Sequence, residues 1–309
     1  MEISYLTYQQ IDKTKWDACI SHADNGLIYA YSFYLDAMAK NWDALVLNDY
    51  EIVMPLTWNK KYGIHYLYQP AFTACLGIFA HRALRGRSID ADTVSAFLQA
   101  VPSKFKYWDI YFNPRNFFKL HDFNLYERKN YVLNLNNSYE NLQAAYNDNI
   151  KRNIKKSGKL NLLINKNMAV AEVIKLSKEQ ASAFSSIGEI DFIHFEKLYQ
   201  ILYQKEKATT YGVVTKEGQL LATAVLFYSH NRAYYILVGN HPNGKTLGAS
   251  HTLIDAFIKD HAGENLLLDF EGSDISSLAF FYSSFGAVEE KYSAVKLNKL
   301  PAPVKWLKK

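Results

Sequence analysis

Cysteine is nearly missing: Cys19 and Cys75 are the only two in 309 residues. One pair in a chain this long is no disulfide framework, so a reducing compartment is expected and both thiols read as packed groups. No apolar run approaches the ~20 residues of a membrane helix. The opening Met1-Glu2-Ile3-Ser4-Tyr5 has no basic region followed by an apolar one, so a soluble cytoplasmic protein is the expectation. Neither Gly-x-x-x-x-Gly-Lys-Ser/Thr nor Gly-x-Gly-x-x-Gly occurs, which argues against a mononucleotide P-loop and a dinucleotide fold. Without a Gly-x-Ser-x-Gly elbow, serine hydrolase chemistry has no support. No His/Cys/Asp spacing suits zinc, so no metal is expected.

What is present suits a globular chain. Hydrophobic residues make up 49% and charged residues 21%, enough for ample core. The length exceeds the usual domain of about 100–150 residues, so two domains are expected, 1–128 and 129–309. No Gly/Ser-rich linker separates them. The net charge of +5 is modest and suits a polyanionic donor. The 23 Tyr and 18 Phe read mainly as sheet packing. Helices are expected at Tyr31–Met38 (capped by Ser32), from Ser88 to about Ala100, and over Phe117–Phe123. A hairpin turns at Asn48-Asp49. The polar stretch Ser182 to Glu189 reads as a loop near an acceptor site.

The most informative stretch is Tyr234 to Glu290. A strand, Tyr234–Val238, runs into the turn-rich Gly239–Ser250, then a helix from about His251 to His261. The apolar strand Leu266–Phe270 follows, then a second helix through Leu278–Ala287 and a last strand from Glu290 to Leu297. A strand turning through glycines into a helix leaves the first N–H groups of that helix unpaired, which with the helix dipole suits a phosphate. Gly244 and Gly248 allow close backbone approach, Lys245 adds charge, and Ser250 can cap the helix.

This stretch resembles the acyl-CoA-binding half of a GNAT-fold N-acyltransferase. The residues Lys245-x-x-Gly248-x-Ser250 match that family's Gln/Arg-x-x-Gly-x-Gly/Ala pyrophosphate loop except at its first and last positions. Ala279, Tyr282 and Gly286-Ala287 lie close to its Ala-x-x-x-Tyr-x-x-x-Gly-Phe helix. Leu268-Asp269-Phe270-Glu271-Gly272-Ser273 and Phe281–Ala287 are similar to the Fem-like branch, whose members carry two GNAT domains in one chain and in some cases take aminoacyl-tRNA. The resemblance implies a mixed-sheet α+β (α/β) fold of two GNAT-like domains in tandem, the first degenerate. It also implies acyl-CoA as donor, with Lys245, Thr246, Leu247, Gly248, Ala249 and Ser250 around its pyrophosphate. Tyr282 is implied as the acid that protonates the leaving thiolate.

Elsewhere, Ser138 begins a helix expected to run to about Lys156. Leu142, Tyr146, Ile150 and Ile154 bury one face, while Lys151, Arg152, Lys155, Lys156 and Lys159 fall within nine residues without an acid. A solvated face and a phosphate-contacting ridge, for the donor or a tRNA backbone, are both open readings. The pattern at Asn149–Lys156 also resembles the Fem-like branch. Transfer to an amine needs a base, and Glu271, Asp269 and His251 are candidates. Glu271, beside Gly272 at a strand end, should face a cleft as base or acceptor anchor; Asp269 reads as a structural hydrogen-bonder and His251 as structural. Asp274 and Ser273 are candidate caps.

The leading expectation is an N-acyltransferase from acyl-CoA to a small-molecule or peptide amine. The alternatives are a Fem-type aminoacyl-tRNA-dependent enzyme acting on a cell-wall precursor or a protein, and a non-catalytic GNAT-fold binding module.

Overall fold

The computed structural model describes residues 2–82, 89–181, 187–272 and 274–301. Ser88, Ser182 to Ser186 and Ser273 lie outside them, as do the side chains of Ala181 and Lys245. The chain forms two compact units, Met1–Arg128 with Lys291–Lys309, and Lys129–Glu290. Residues 291–301 therefore group with the first unit, where the sequence placed them with the second.

In the first unit the chain runs β1 (Ile3–Leu6), α1 (Lys13–Ser21), α2 (Ser32–Met38), β2 (Asn41–Leu47), β3 (Ile52–Lys61), β4 (Ile64–Tyr68), β5 (Phe79–Ala80), α3 (Ala91–Gln99) and β6 (Phe105–Tyr111). Strands β1 to β4 pair antiparallel in order, and β4 pairs parallel with β6 across α3. The alternating apolar residues of β2 and β3 and the apolar face of α3 (Val94, Phe97, Leu98) share one core. Asp90 caps α3 through Thr93 N. Ser32 does not cap α2: it is the first helical residue, and its N and Oγ bond to Asp17. Residues 117–123 form no helix; a 3-10 turn, Pro114–Asn116, stands before them.

The second unit contains the end of β7 (Leu125–Asn134), α4 (Tyr139–Ala144), α5 (Asp148–Lys159), β8 (Leu163–Lys166), α6 (Val170–Ala181), α7 (Glu189–Gln204), β9 (Ala208–Val214), β10 (Leu220–Ser229), β11 (Arg232–Asn240), α8 (Pro242–Leu247), α9 (Ala249–His261), β12 (Leu267–Asp269) and α10 (Ser276–Ser283). The single helix expected from Ser138 is two. The chain breaks at Asn147, whose side chain accepts from Ile150 N and restarts the helix as an N-cap,. Strands β8, β9, β10 and β11 are antiparallel neighbours, β11 and β12 are parallel across α9, and β12 pairs antiparallel with β7. Leu226, Leu253, Phe257, Leu268 and Phe285 fill the core.

The last strand, β13 (Val288–Asn298), pairs antiparallel with β6 from Ala294 to Asn298. Those bonds draw the end of the chain into the first unit. Among the described residues no helix is long and apolar enough to cross a membrane. Cys19 is buried and Cys75 half-buried.

Candidate active site

The parallel pair β11 and β12 organises the site. In a parallel crossover, ligands collect beyond the carboxyl ends of the strands. The turn after β11 is not the open glycine loop expected. Residues 242–247 coil into α8, with Pro242 at its first position, where a missing N–H costs nothing. Gly248 then takes φ 74° and ψ 24°, and α9 starts immediately. That left-handed conformation would cost a residue with a Cβ about 1–2 kcal/mol. A Cβ here would also lie 3.0 Å from Ser157 Oγ and 3.1 Å from the Asn153 carbonyl. Glycine is therefore required by the approach of α5 as well as by the turn.

The six expected donor-site residues divide sharply. Thr246 is exposed, Leu247 packs against the core, and Gly248 and Ala249 are buried. Ser250 does not cap α9; its hydroxyl bonds Asn240 Oδ1, and the cap position, Gly248, makes no side-chain bond. Of Lys245 only the backbone is described.

The basic helix α5 lies against this same turn. Lys156 Nζ donates to the Thr246 carbonyl at 2.9 Å. Ser157 Oγ, almost fully buried, is 2.9 Å from the Leu247 carbonyl and 3.3 Å from that of Gly248. The Thr246 carbonyl, at the end of α8, thus gains a donor that the helix itself does not supply,. Lys151, Arg152 and Lys155 are exposed on α5, and Lys151 Nζ reaches the Ala144 carbonyl at 3.0 Å. Two features that the sequence presents ninety residues apart thus form one electropositive turn, with the positive end of the α9 dipole beside it.

Beyond β12 stand Glu271 and Tyr282. Glu271 is half-buried with φ 66°, an uncommon backbone for a long side chain and the kind of strain that clusters at functional sites. Tyr282 is buried and stacks on Phe270, with ring centres 4.5 Å apart and planes at 17°. Burial, and then the Glu271 carboxylate, push its phenol up to about 12. Tyr235 lies in the same pocket of burial, its phenol raised first by desolvation and then by Tyr282. His251, in the first turn of α9, meets Phe281 edge-on at 5.1 Å, and Phe281 neighbours Tyr282 at 5.6 Å. The start of α9 is thereby packed against the helix that carries Tyr282. Burial lowers the His251 pKa, and its Nδ1 is buried without a hydrogen-bond partner; the ring is neutral near pH 7, as suits a packed histidine.

The sequence reading missed what holds Glu271. Arg232, at the start of β11, donates from Nη1 to Asp269 Oδ2 at 2.6 Å and grips Glu290 with both Nη atoms at 3.0 Å. Burial opposes its charge, but Asp269 and Glu290 outweigh that and raise its pKa. Asn130 Nδ2 bonds Asp269 Oδ1 at 2.9 Å. Asp269 Oδ1 in turn accepts from Glu271 N at 2.8 Å, and Asn130 Oδ1 from Gly272 N at 2.6 Å. Asp269 is thus structural, and the network pins the two residues that present the Glu271 side chain. The available signal was a lone arginine at the head of an aromatic, apolar strand. Asp274 Oδ1 accepts from Lys129 N at 3.2 Å, while the cap at Ser273 lies outside the described residues.

The turn combines the N-terminus of a 13-residue helix, α5 cations and neutral Asn240, Asn243 and Thr246, with no acid among residues 239–252, a chemistry that suits an anion.

No protein-family model matches the sequence, and no curated protein matches it. Solved structures do. FemX aligns over the whole of both chains with a TM-score of 0.62 at 13% identity. A conserved protein of unknown function from Bacteroides thetaiotaomicron aligns over 96% of this chain and all of its own, with a TM-score of 0.54 at 11% identity. L-PGS from Bacillus licheniformis aligns over 86% of this chain and 87% of its own, with a TM-score of 0.51 at 10% identity. At these identities the likeness is one of fold.

Proposed function

We propose that this chain, built on the tandem GNAT-like fold that it shares with FemX, is an acyltransferase moving an acyl group from acyl-CoA to an amine. The observation that carries the reading is the pairing of two features at the ends of one parallel strand pair. The electropositive α8–Gly248–α9 turn follows β11, and Glu271 with Tyr282 follows β12.

In this reading the donor's phosphates lie along the start of α9, near Thr246 and the α5 cations Arg152 and Lys155. The amine nitrogen attacks the thioester carbonyl, a C–N bond forms, the C–S bond breaks, and the amine's proton passes to Glu271. A thiol ionises near 8.5, so full proton transfer from a phenol at about 12 is uphill. Tyr282 therefore stabilises the developing thiolate as a hydrogen-bond donor, and stays protonated throughout the working pH range. Asp269, Arg232 and Asn130 act on the chemistry only through the backbone of Glu271 and Gly272. The acceptor is a small-molecule or peptide amine.

A second reading, transfer from aminoacyl-tRNA, draws on the exposure of Lys151, Arg152 and Lys155 along one helix. Calorimetry separates the two. Acetyl-CoA binding that weakens at least about tenfold in Arg152→Glu/Lys155→Glu supports the first. Steeply salt-dependent binding of tRNA without coenzyme A binding supports the second. Binding of neither removes both.

A further inference from the structure

The first unit carries a cavity of about 340 Å³ that the transfer reaction leaves unused. It lies between the 3-10 turn Tyr8–Gln10, the start of β2, the far end of β3 and Lys104, which precedes β6. Its aromatic walls are Tyr8, Trp42 and Trp58, and its charged walls are Asp36, Lys40, Asp43 and Lys104.

Asp36, Asp43 and Lys104 are already paired. Asp36 accepts from Lys13 Nζ at 2.7 Å and from Trp42 Nε1 at 3.0 Å. Asp43, its side chain 5% exposed, accepts from the Tyr5 hydroxyl and from Tyr8 N at 3.1 Å, with Lys104 Nζ 3.6 Å away. Lys104 also donates to Tyr5 Oη at 2.6 Å and lies over the Tyr5 and Trp58 rings. An anionic ligand would meet two carboxylates, and a cationic one would meet Lys104 and the neighbouring Lys40. Either would be desolvated against a wall of mixed charge, most of it already paired. What the walls offer a neutral ligand is aromatic ring surface for C–H groups, spare carboxylate lone pairs for hydroxyl donors, and a remaining ammonium proton for a hydroxyl oxygen. The volume falls at the small end of ligand pockets.

We infer that this cavity is a saccharide-binding site, in which a sugar ring lays its C–H face on the aromatic wall of Tyr8 and Trp58 and turns hydroxyls to Asp36 and Lys104. The inference is independent of the transfer reaction and of its donor.

Saturation-transfer NMR on the full chain tests it, with glucose, N-acetylglucosamine and cellobiose against acetate, phosphate and choline. At least one saccharide is expected to receive saturation, with a dissociation constant on the order of 1 mM. Tyr8→Ala and, separately, Asp36→Asn are expected to weaken it at least about tenfold. Tyr62→Ala, at a residue 91% exposed and outside the cavity, is expected to change nothing. Thermal melts confirm that each variant is folded. The inference is overturned if no saccharide is saturated, if acetate, phosphate or choline binds instead, or if folded Tyr8→Ala and Asp36→Asn both bind as the parent does.

Discussion

Replacing Arg232 with methionine isolates the network under Glu271. The guanidinium is the only cation bonded to both Asp269 and Glu290 among the ion pairs of the described residues, and their side chains are 6% and 22% exposed. Methionine matches much of its volume but leaves two carboxylates facing each other. Breaking a buried pair from one side costs about 3–5 kcal/mol, because a charge stays buried without its partner. Glu290 keeps some access to water and Asn130 still donates to Asp269, so a loss of roughly 3 kcal/mol is expected. With a urea m-value of about 1–3 kcal/mol/M, the midpoint should fall by at least ~1 M. Adding Glu290→Gln should restore part of that loss, since one uncompensated charge is removed. Hydrogen exchange supplies a local reading. The Glu271 and Gly272 amides, which bond Asp269 and Asn130, should lose protection more than the central amides of β10. A loss below about 1 kcal/mol, the value of a solvated surface pair, would refute the reasoning. So would unchanged protection at Glu271.

Other outcomes follow from single contacts. Gly248→Ala should destabilise by about 1–2 kcal/mol through its left-handed backbone, and the close approach to the Asn153 carbonyl adds to this; a neutral effect in a denaturant series would place α5 further from the turn. Ser157→Ala removes the hydroxyl beside the Leu247 and Gly248 carbonyls and should cost about 1 kcal/mol by the same assay. Because burial holds the His251 pKa below its ordinary value near 6.5,, the unfolded chain binds the proton first as pH falls. Stability from this group is present above 6.5 and declines below it; His251→Phe should flatten that part of a stability–pH profile, and an unchanged slope would locate the titration elsewhere. Once an acceptor is in hand, Tyr282→Phe should lower turnover at least about tenfold with donor affinity nearly unchanged, whereas unaltered turnover would leave the phenol as packing beside Phe270.

Much of the architecture was legible before any coordinates. The strand before the turn (β11), α9, β12 and α10 were all placed from local patterning, because apolar period and turn residues are properties of neighbours in the chain. The stretch Gly239–Ser250 was read as an open glycine loop, but residues 242–247 coil into α8. Asn243 to Thr246 look like loop formers, yet the bonds from Lys156 and Ser157 to the Thr246 and Leu247 carbonyls favour a helical turn there. Likewise Ser250 has the chemistry of a cap, but Asn240 lies closer to its hydroxyl.

Local composition therefore placed β11, α9, β12 and α10, but not α8 or the break at Asn147, and showed that a basic helix and a glycine-bearing turn exist. Their meeting could not be read that way, because Lys156 and Thr246 are 90 residues apart. Nor could the support of Glu271, since Arg232 finds Asp269 across 37 residues and Glu290 across 58. A hydrogen bond or ion pair depends on ångström distances between atoms, and for groups this far apart in the chain those distances exist only once the sheet has registered β11 beside β12 and β12 beside β7.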